Sequence, residues 1–137
     1  MNGANVKVYS KAKDGSKKLS ANFSVREFAC SDGSDPVFIS QELVEVLQKI
    51  RDHFKKSVTI NSAYRTPGKN KAVGGAAYSQ HLYGTAADIV VGSGSNKVSP
   101  KIVAVYAESL LPGKGGIGIY STFTHIDVRA TKSRWNG

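Results

Sequence analysis

The chain has 137 residues and a mass of 14.6 kDa, which suits one domain with one hydrophobic core. Hydrophobic residues make up 40% and charged residues 21% of the sequence, a globular balance that argues against a mostly disordered chain. The single cysteine, Cys30, excludes an intramolecular disulfide and any CxxC metal site, and no apolar run is long enough to span a membrane.

The formal net charge is +9, and it is unevenly distributed. Residues 1–53 carry eight basic and seven acidic groups, whereas residues 54–137 carry eleven basic and three acidic groups, a difference of eight charges. This excess favours a polyanionic partner such as nucleic acid, an anionic membrane or a teichoic-acid-bearing cell wall. The N-terminal segment lacks the apolar stretch of a signal peptide, so we expect any export to use another route.

The first half of the chain is predicted to begin with a basic arm over residues 1–20, followed by the folded domain over residues 21–137. Ser24 and Glu27 have the spacing of a capping box, which predicts a short helix there. Residues 31–36 are rich in turn-forming types. A helix of about fifteen residues is then predicted after the N-cap Ser40, because apolar side chains recur at helical spacing: Leu43, Leu47, Ile50 and Phe54.

The second half alternates strands and helices. Residues 62–85 are predicted to be irregular, and a segment of that length in a small domain is usually functional or disordered. The predicted regular elements are strands at 57–61 and 87–91, a helix from Ser99-Pro100 to about Leu110, and a hairpin of strands at 117–120 and 123–129. Together they predict an α+β fold.

The last predicted strand carries polar side chains on one face. Alternation places His125, Asp127 and Arg129 on that face and Thr124, Ile126 and Val128 on the other. An ordinary solvated strand face is the alternative explanation. A histidine with a carboxylate two residues away, in a region so poor in acids, favours a functional site.

A second histidine precedes the strand at 87–91. His81 lies at the start of a loop containing Gly84, and Asp88 lies on the strand that follows, so both can converge on one point with His125. Two imidazoles and a carboxylate are three ligands, the number that a catalytic zinc uses while it keeps one position open. For any one histidine alone, a structural role is the commoner outcome. His53, on the predicted long helix with no motif around it, is assigned that role.

Three segments together form a specific pattern: Ser62-Ala63-Tyr64-Arg65-Thr66-Pro67, the SxHxxGxAxD string from Ser79 to Asp88, and His125-x-Asp127. From about residue 20 onward the chain resembles the zinc D-Ala-D-Ala carboxypeptidase family, which includes phage endolysins and other peptidoglycan peptidases. The resemblance implies a small hedgehog/DD-peptidase-like fold, in which helices flank an antiparallel sheet.

The resemblance also implies roles for individual residues. His81, Asp88 and His125 are expected to bind Zn2+, and Arg65 to bind substrate and to act in catalysis. Ser79 and Tyr64 are expected to lie near the substrate. Physically, the Arg65 guanidinium can offer a fork of donors to a substrate carboxylate or to a developing oxyanion.

The sequence departs from the family at the general base. Many members carry Glu or His two or three residues before the last zinc ligand, where this chain has Thr122 and Phe123. Asp127 is the nearest carboxylate to His125. It is expected either to act as the base or to orient a zinc ligand, and the sequence leaves both roles open.

The functional expectation is a monomeric zinc peptidase that cuts stem or cross-bridge peptides of peptidoglycan and binds the anionic wall. The expected source is a phage or prophage lysis or tail enzyme, made in the bacterial cytoplasm and released through holin or injection machinery. A wall-binding relative that does not cut is the first alternative. A nucleic-acid binder is the second, supported only by charge, since the aromatic and basic pattern of single-strand binders is lacking.

Overall fold

The structure is a computed structural model that describes residues 5–137, and it confirms the prediction of a small α+β domain. The strands are β1 Val6–Ser10, β2 Lys18–Ser20, β3 Phe23–Ser24, β4 Pro36–Ser40, β5 Val58–Ser62, β6 Ala86–Val91, β7 Gly116–Ile119, β8 Thr124–Asp127 and β9 Ser133–Asn136. The α-helices are α1 Lys11–Asp14, α2 Gln41–Phe54, α3 Pro67–Ala72 and α4 Pro100–Leu110. Short 3-10 helices occupy Val25–Phe28, Gln80–Tyr83 and Gly94–Asn96.

The main sheet has five strands in the order β5-β6-β8-β7-β9. Its first four strands pair antiparallel, as expected, and the hairpin predicted near the end of the sequence is β7 paired with β8. The last strand, β9, was not predicted and runs parallel to β7. The register places Asp88 and Gly118 on either side of His125, with Trp135 beside Gly118.

Helices α2 and α4 cover one face of this sheet. The Ser40 hydroxyl accepts a hydrogen bond from the Leu43 amide at 3.2 Å, so α2 begins where the sequence predicts. Its predicted apolar positions Leu43, Leu47 and Ile50 are fully buried. Burying each such side chain contributes about 1.5–3 kcal/mol, which fixes the helix against the sheet. The polar side chains are thereby left on the opposite face.

The N-terminal segment was predicted to be a solvated arm, but it contains regular secondary structure. Residues 6–20 form β1, α1 and β2; β1 pairs antiparallel with β4, with Val8 opposite Phe38. Asp35 accepts a hydrogen bond from the Ala12 amide at 2.8 Å, which fastens α1 to the turn before β4. The segment is ordered because its backbone is paired with a distant strand, which its Lys-rich composition does not reveal. Residues 1–4 of the predicted arm lie outside the described residues.

The long segment before β6 is less irregular than predicted, since it contains α3 and the 3-10 helix at 80–83. The Thr66 hydroxyl caps α3 by accepting from the Lys69 amide at 3.2 Å. Gly84 ends the 3-10 helix with φ +74° and lies so close to β4 that a Cβ there would be 2.3 Å from the Phe38 carbonyl oxygen. The Ser40 amide also donates to the Gly84 carbonyl at 2.9 Å, which connects this segment to the end of β4.

Within residues 5–137, no helix has the length and apolar character to cross a membrane.

Candidate active site

The structure brings His81, Asp88 and His125 together on the face of the sheet opposite α2 and α4. His81 Nε2 lies 3.3 Å from Asp88 Oδ2, and His125 Nδ1 lies 3.0 Å from Asp88 Oδ1. One potential ligand atom from each of the three residues lies within 4.8 Å of the other two. All three side chains are buried. The cluster has the composition and spacing of a site for one metal ion.

Each of these side chains is positioned by a local feature of the sequence. Asp88 and His125 face each other on the neighbouring strands β6 and β8. His81 lies in the 3-10 helix that begins after Ser79, whose hydroxyl accepts from the His81 amide at 3.2 Å. The His81 Nδ1–H donates to the Ala63 carbonyl at 2.6 Å. Because a carbonyl only accepts, the proton lies on Nδ1, and the lone pair of Nε2 faces Asp88.

The electrostatics of the cluster favour an ionised carboxylate. Burial raises the pKa of Asp88, but the hydrogen bond from His125 outweighs it, so this pKa lies below its usual range. For His125 burial lowers the pKa, yet hydrogen bonds to Asp127 and Asp88 raise it overall. The metal-free cluster therefore pairs a negative carboxylate with a His125 ring whose protonated form is favoured.

Asp127 holds the far side of the His125 ring. Its Oδ2 lies 2.8 Å from His125 Nε2, and its Oδ1 accepts from the Gly116 amide at 2.9 Å. Arg129 donates to both carboxylate oxygens, with Nη2 2.6 Å from Oδ2. Burial raises the pKa of Asp127, but the hydrogen bonds from His125 and Arg129 lower it below its usual range. A fully buried carboxylate with both oxygens occupied by donors is suited to orienting His125 rather than to taking a proton from water.

Arg65 and Ser79 lie at the same cleft. Arg65 Nη2 is 3.5 Å from Asp88 Oδ2, while Nε donates to the Ser62 hydroxyl at 3.1 Å and Nη1 to Asn70 Oδ1 at 3.3 Å. These contacts fix the guanidinium beside the candidate ligands. Ser79 lines the cleft as well as capping the helix that carries His81.

Tyr64 is the exception among the predicted site residues. Its side chain is 8% exposed and packs against Phe38, with ring centroids 5.2 Å apart, and it is absent from the lining of the cleft. The next residue, Arg65, lies on the cleft side instead. The expectation that Tyr64 contacts substrate is therefore not supported. His53 stacks on Tyr106 with centroids 3.8 Å apart, away from the cleft, in accordance with its structural assignment.

The candidate ligands line a cleft of about 620 Å³. The side of the cleft opposite Arg65 was not predicted from the sequence. Trp135 lies against His125, with ring centroids 5.0 Å apart, and the Arg129 guanidinium carbon lies 5.5 Å from the indole centroid. The cleft is also lined by three aromatic residues to which the sequence analysis gave no role in the site: Tyr78, Tyr120 and Phe123.

A sequence signal for Trp135 exists in the strand Gly116-Ile117-Gly118-Ile119. Its two glycines fall on the site face. A Cβ at Gly116 would be 2.1 Å from Asp127 Oδ2, and one at Gly118 would be 2.5 Å from Trp135. The alternation of glycine and isoleucine therefore indicates a strand with one face left open for neighbouring side chains.

The sequence model of a protein family described as Peptidase M15 matches residues 18–127, which is most of the chain. The matched range contains His81, Asp88, His125 and Asp127 and ends before Trp135. No curated protein matches the chain.

Proposed function

The chain belongs to the Peptidase M15 family, and from this premise we propose that it is a zinc-dependent peptidase that hydrolyses peptide bonds of bacterial peptidoglycan. Membership supports a metallopeptidase and agrees with the resemblance seen in the sequence. The observation that carries the proposal is the convergence of His81, Asp88 and His125 beside Arg65 in one cleft.

The residues present fit a zinc ion. Ligands about 2.0–2.2 Å from a tetrahedral zinc lie roughly 3.4 Å from one another. The pairs formed by Asp88 with His81 and with His125 already measure 3.3 and 3.0 Å. The imidazole and carboxylate donors are those that catalytic zinc sites use. The chemistry that zinc supplies when bound is polarisation of a carbonyl and activation of a water molecule.

Residues of the chain itself provide orientation and charge. Asp127 fixes the His125 ring, and Ala63 fixes the His81 ring through its carbonyl. Arg65 offers its guanidinium to a substrate carboxylate or to the carbonyl oxygen under attack. Because three contacts already hold this side chain, binding substrate costs little conformational entropy.

Peptidoglycan as the substrate is supported by family membership and by charge. The excess of eight positive charges in residues 54–137 suits an anionic wall. The proposal includes a phage or prophage lysis or tail role for a monomeric enzyme made in the bacterial cytoplasm, with the wall reached by a holin or injection route.

Digestion of purified cell walls tests this function. The zinc-loaded protein should release peptides with new termini, which mass spectrometry identifies together with the bond cut, and a chelator should abolish the release. The wild type should bind about one zinc per chain. His81→Ala and His125→Ala should each lose metal and activity, while His53→Ala, a histidine outside the cleft, should keep both. Metal retained in both ligand variants would refute the ligand assignment.

A second candidate function is wall binding without hydrolysis. It is favoured by one observation: the oxygens of Asp88 and Asp127, the two acids of the site, are already engaged, so neither offers an unoccupied general base. A zymogram separates the two functions, because an enzyme clears the embedded walls, whereas a binding protein pellets with walls and leaves them intact.

A further inference from the structure

Tyr120 and Trp135 form a hydrogen-bonded pair on the side of the cleft across from Arg65's loop. Tyr120 directly follows β7, and Trp135 lies on the parallel neighbour β9. The Trp135 Nε1–H donates to the Tyr120 hydroxyl oxygen at 2.9 Å. Both residues line the cleft together with His81 and His125. The pair therefore belongs to the same space as the candidate metal ligands.

The Tyr120 ring is held in place from several directions. It stacks on Phe123 with ring centroids 4.4 Å apart and an angle of 10° between the planes. The Tyr120 amide donates to the Phe123 carbonyl at 3.0 Å, which closes the turn between β7 and β8. Gly137 lies so close to the ring that a Cβ there would be 1.9 Å from it. The hydroxyl position is therefore fixed in advance of any substrate.

The direction of the hydrogen bond decides what the phenol can do. An indole N–H is only a donor, so the Tyr120 oxygen accepts and its own proton is left to donate elsewhere. Among the described residues, the Tyr120 hydroxyl has no acceptor for that proton within hydrogen-bond distance. The cleft thus presents a fixed, uncharged donor on the side that Trp135 forms.

We propose that Tyr120 is a further catalytic residue that donates its O–H to the carbonyl oxygen of the scissile peptide bond as negative charge develops there. The inference rests on the proposed peptidase function. The phenol keeps its proton throughout, and the hydrolysis consumes one water to give a carboxylic acid and an amine. Trp135 is a positioning residue, because its N–H fixes the Tyr120 oxygen and leaves the Tyr120 proton for substrate.

The test uses variants that preserve the rings. Tyr120→Phe keeps the stack on Phe123 and removes only the hydroxyl, so kcat should fall about 10²-fold while KM changes little. Tyr106→Phe is the matched control, since Tyr106 stacks on His53 outside the cleft, and it should retain wild-type kcat. Trp135→Phe should lower kcat to a smaller extent, again with little change in KM. Zinc content, measured by elemental analysis, should be unchanged in all three.

Ligand binding provides a second measurement that does not depend on turnover. A phosphinate peptide resembles the tetrahedral transition state, whereas an uncleaved peptide held at low temperature resembles the ground state. In calorimetric titrations, Tyr120→Phe should weaken binding of the phosphinate at least tenfold and leave peptide binding unchanged. A structural role alone would weaken both to the same extent.

The outcomes separate this inference from the proposed function. An active wild type together with an equally active Tyr120→Phe enzyme, at equal zinc content, overturns the role of Tyr120 and leaves the peptidase assignment intact. A zinc-loaded wild type that cleaves no wall peptide overturns the proposed function and, with it, this inference. Loss of kcat with parallel loss of zinc in Tyr120→Phe overturns the inference too, because the residue would then support the metal site.

Discussion

Asp127 Oδ2 lies 2.8 Å from His125 Nε2, while Nδ1 of the same ring lies 3.0 Å from Asp88 Oδ1. The imidazole is therefore held between two carboxylates: that of Asp88, a candidate metal ligand, and that of Asp127 on the opposite side of the ring. A ligating histidine is commonly oriented in this way through its second nitrogen. Arg129 completes the arrangement by donating to both oxygens of Asp127.

The first prediction concerns Asp127→Asn. Because Asp127 holds His125 rather than a water molecule, zinc affinity should fall about 10–100-fold, with a near-wild-type rate once zinc is saturating. Competition with a coloured chelator measures the affinity. Asp52→Asn on α2 is the control, since Asp52 is exposed and remote from the cleft.

The opposite result for Asp127→Asn has a definite meaning. A loss of roughly 10²–10⁴ in rate at saturating zinc, with unchanged affinity, is the signature of a missing general base. That result would reject the orienting role and restore the alternative that the sequence left open. Turnover at several zinc concentrations separates the two outcomes.

The second prediction concerns Gly118. An alanine Cβ there would be 2.5 Å from the Trp135 ring, so Gly118→Ala should displace the indole and destabilise the fold by about 1–3 kcal/mol. Denaturant unfolding measures the stability, and emission from Trp135, the one tryptophan of the chain, reports its displacement.

Gly68→Ala is the matched control for this substitution. Gly68 lies near the start of α3, and no atom lies within 4 Å of a Cβ placed there. Its replacement should be neutral or stabilise the protein by up to about 1 kcal/mol. If both substitutions changed the free energy of unfolding equally, the packing of Trp135 against Gly118 would not explain why position 118 is glycine.

The third prediction concerns acid. The pKa of Asp35 lies below its usual range, because the Ala12 amide and the Ser10 hydroxyl donate hydrogen bonds to its carboxylate. A carboxyl whose pKa is lowered by folding stabilises the fold above its unfolded pKa, and the contribution is lost as pH falls through the folded pKa. The Ala12 amide should therefore lose hydrogen-exchange protection below about pH 4.

Two comparisons check the acid prediction. The Leu43 amide donates to the Ser40 hydroxyl, which does not titrate in this range, so its protection should stay constant over the same interval. In Asp35→Asn the pH dependence at Ala12 should disappear. If protection of the Ala12 amide still fell with pH in Asp35→Asn, a group other than Asp35 would be responsible for the acid sensitivity of the N-terminal segment.

The fourth prediction concerns the wall. If the positive excess of residues 54–137 drives adsorption, binding to purified walls should weaken as salt rises, since exposed charges are screened over roughly 8–10 Å at about 0.10–0.15 M salt. Walls stripped of teichoic acid should also bind less protein. Adsorption that is independent of salt would show that recognition depends on specific contacts instead.

The elements that the sequence predicted are those with a strong local signal. Helix α2 has both a capping serine and a regular apolar face, and α4 begins at Ser99-Pro100 as predicted. Strands β1 and β4 were missed because β1 lies in a Lys-rich segment and their pairing joins Val8 to Phe38 across 30 residues. Strand β9 was missed because its Ser-Arg-Trp-Asn sequence has no apolar alternation, and its place is fixed by β7.

The candidate site was predictable to a similar degree. His81, Asp88 and His125 belong to short motifs with fixed spacing, and the structure brings them together. Tyr64 belongs to the same motif as Arg65, but its ring packs against Phe38 outside the cleft lining, and the motif alone does not indicate which way the side chain points. The Tyr120 and Trp135 pair depends on the parallel pairing of β9 with β7, and the alternating glycines of β7 do not by themselves identify the side chain that packs there.

The order of the strands also sets a sequence of events during synthesis. Asp88 and His125 are neighbours across β6 and β8 but 37 residues apart in the chain. At about 5–20 residues per second, the ribosome adds His125 roughly 2–7 seconds after Asp88. During that interval the nascent chain has two of the three candidate ligands and no strand to carry the third. If the chain binds zinc as proposed, the complete ligand set exists only after β8 has paired with β6.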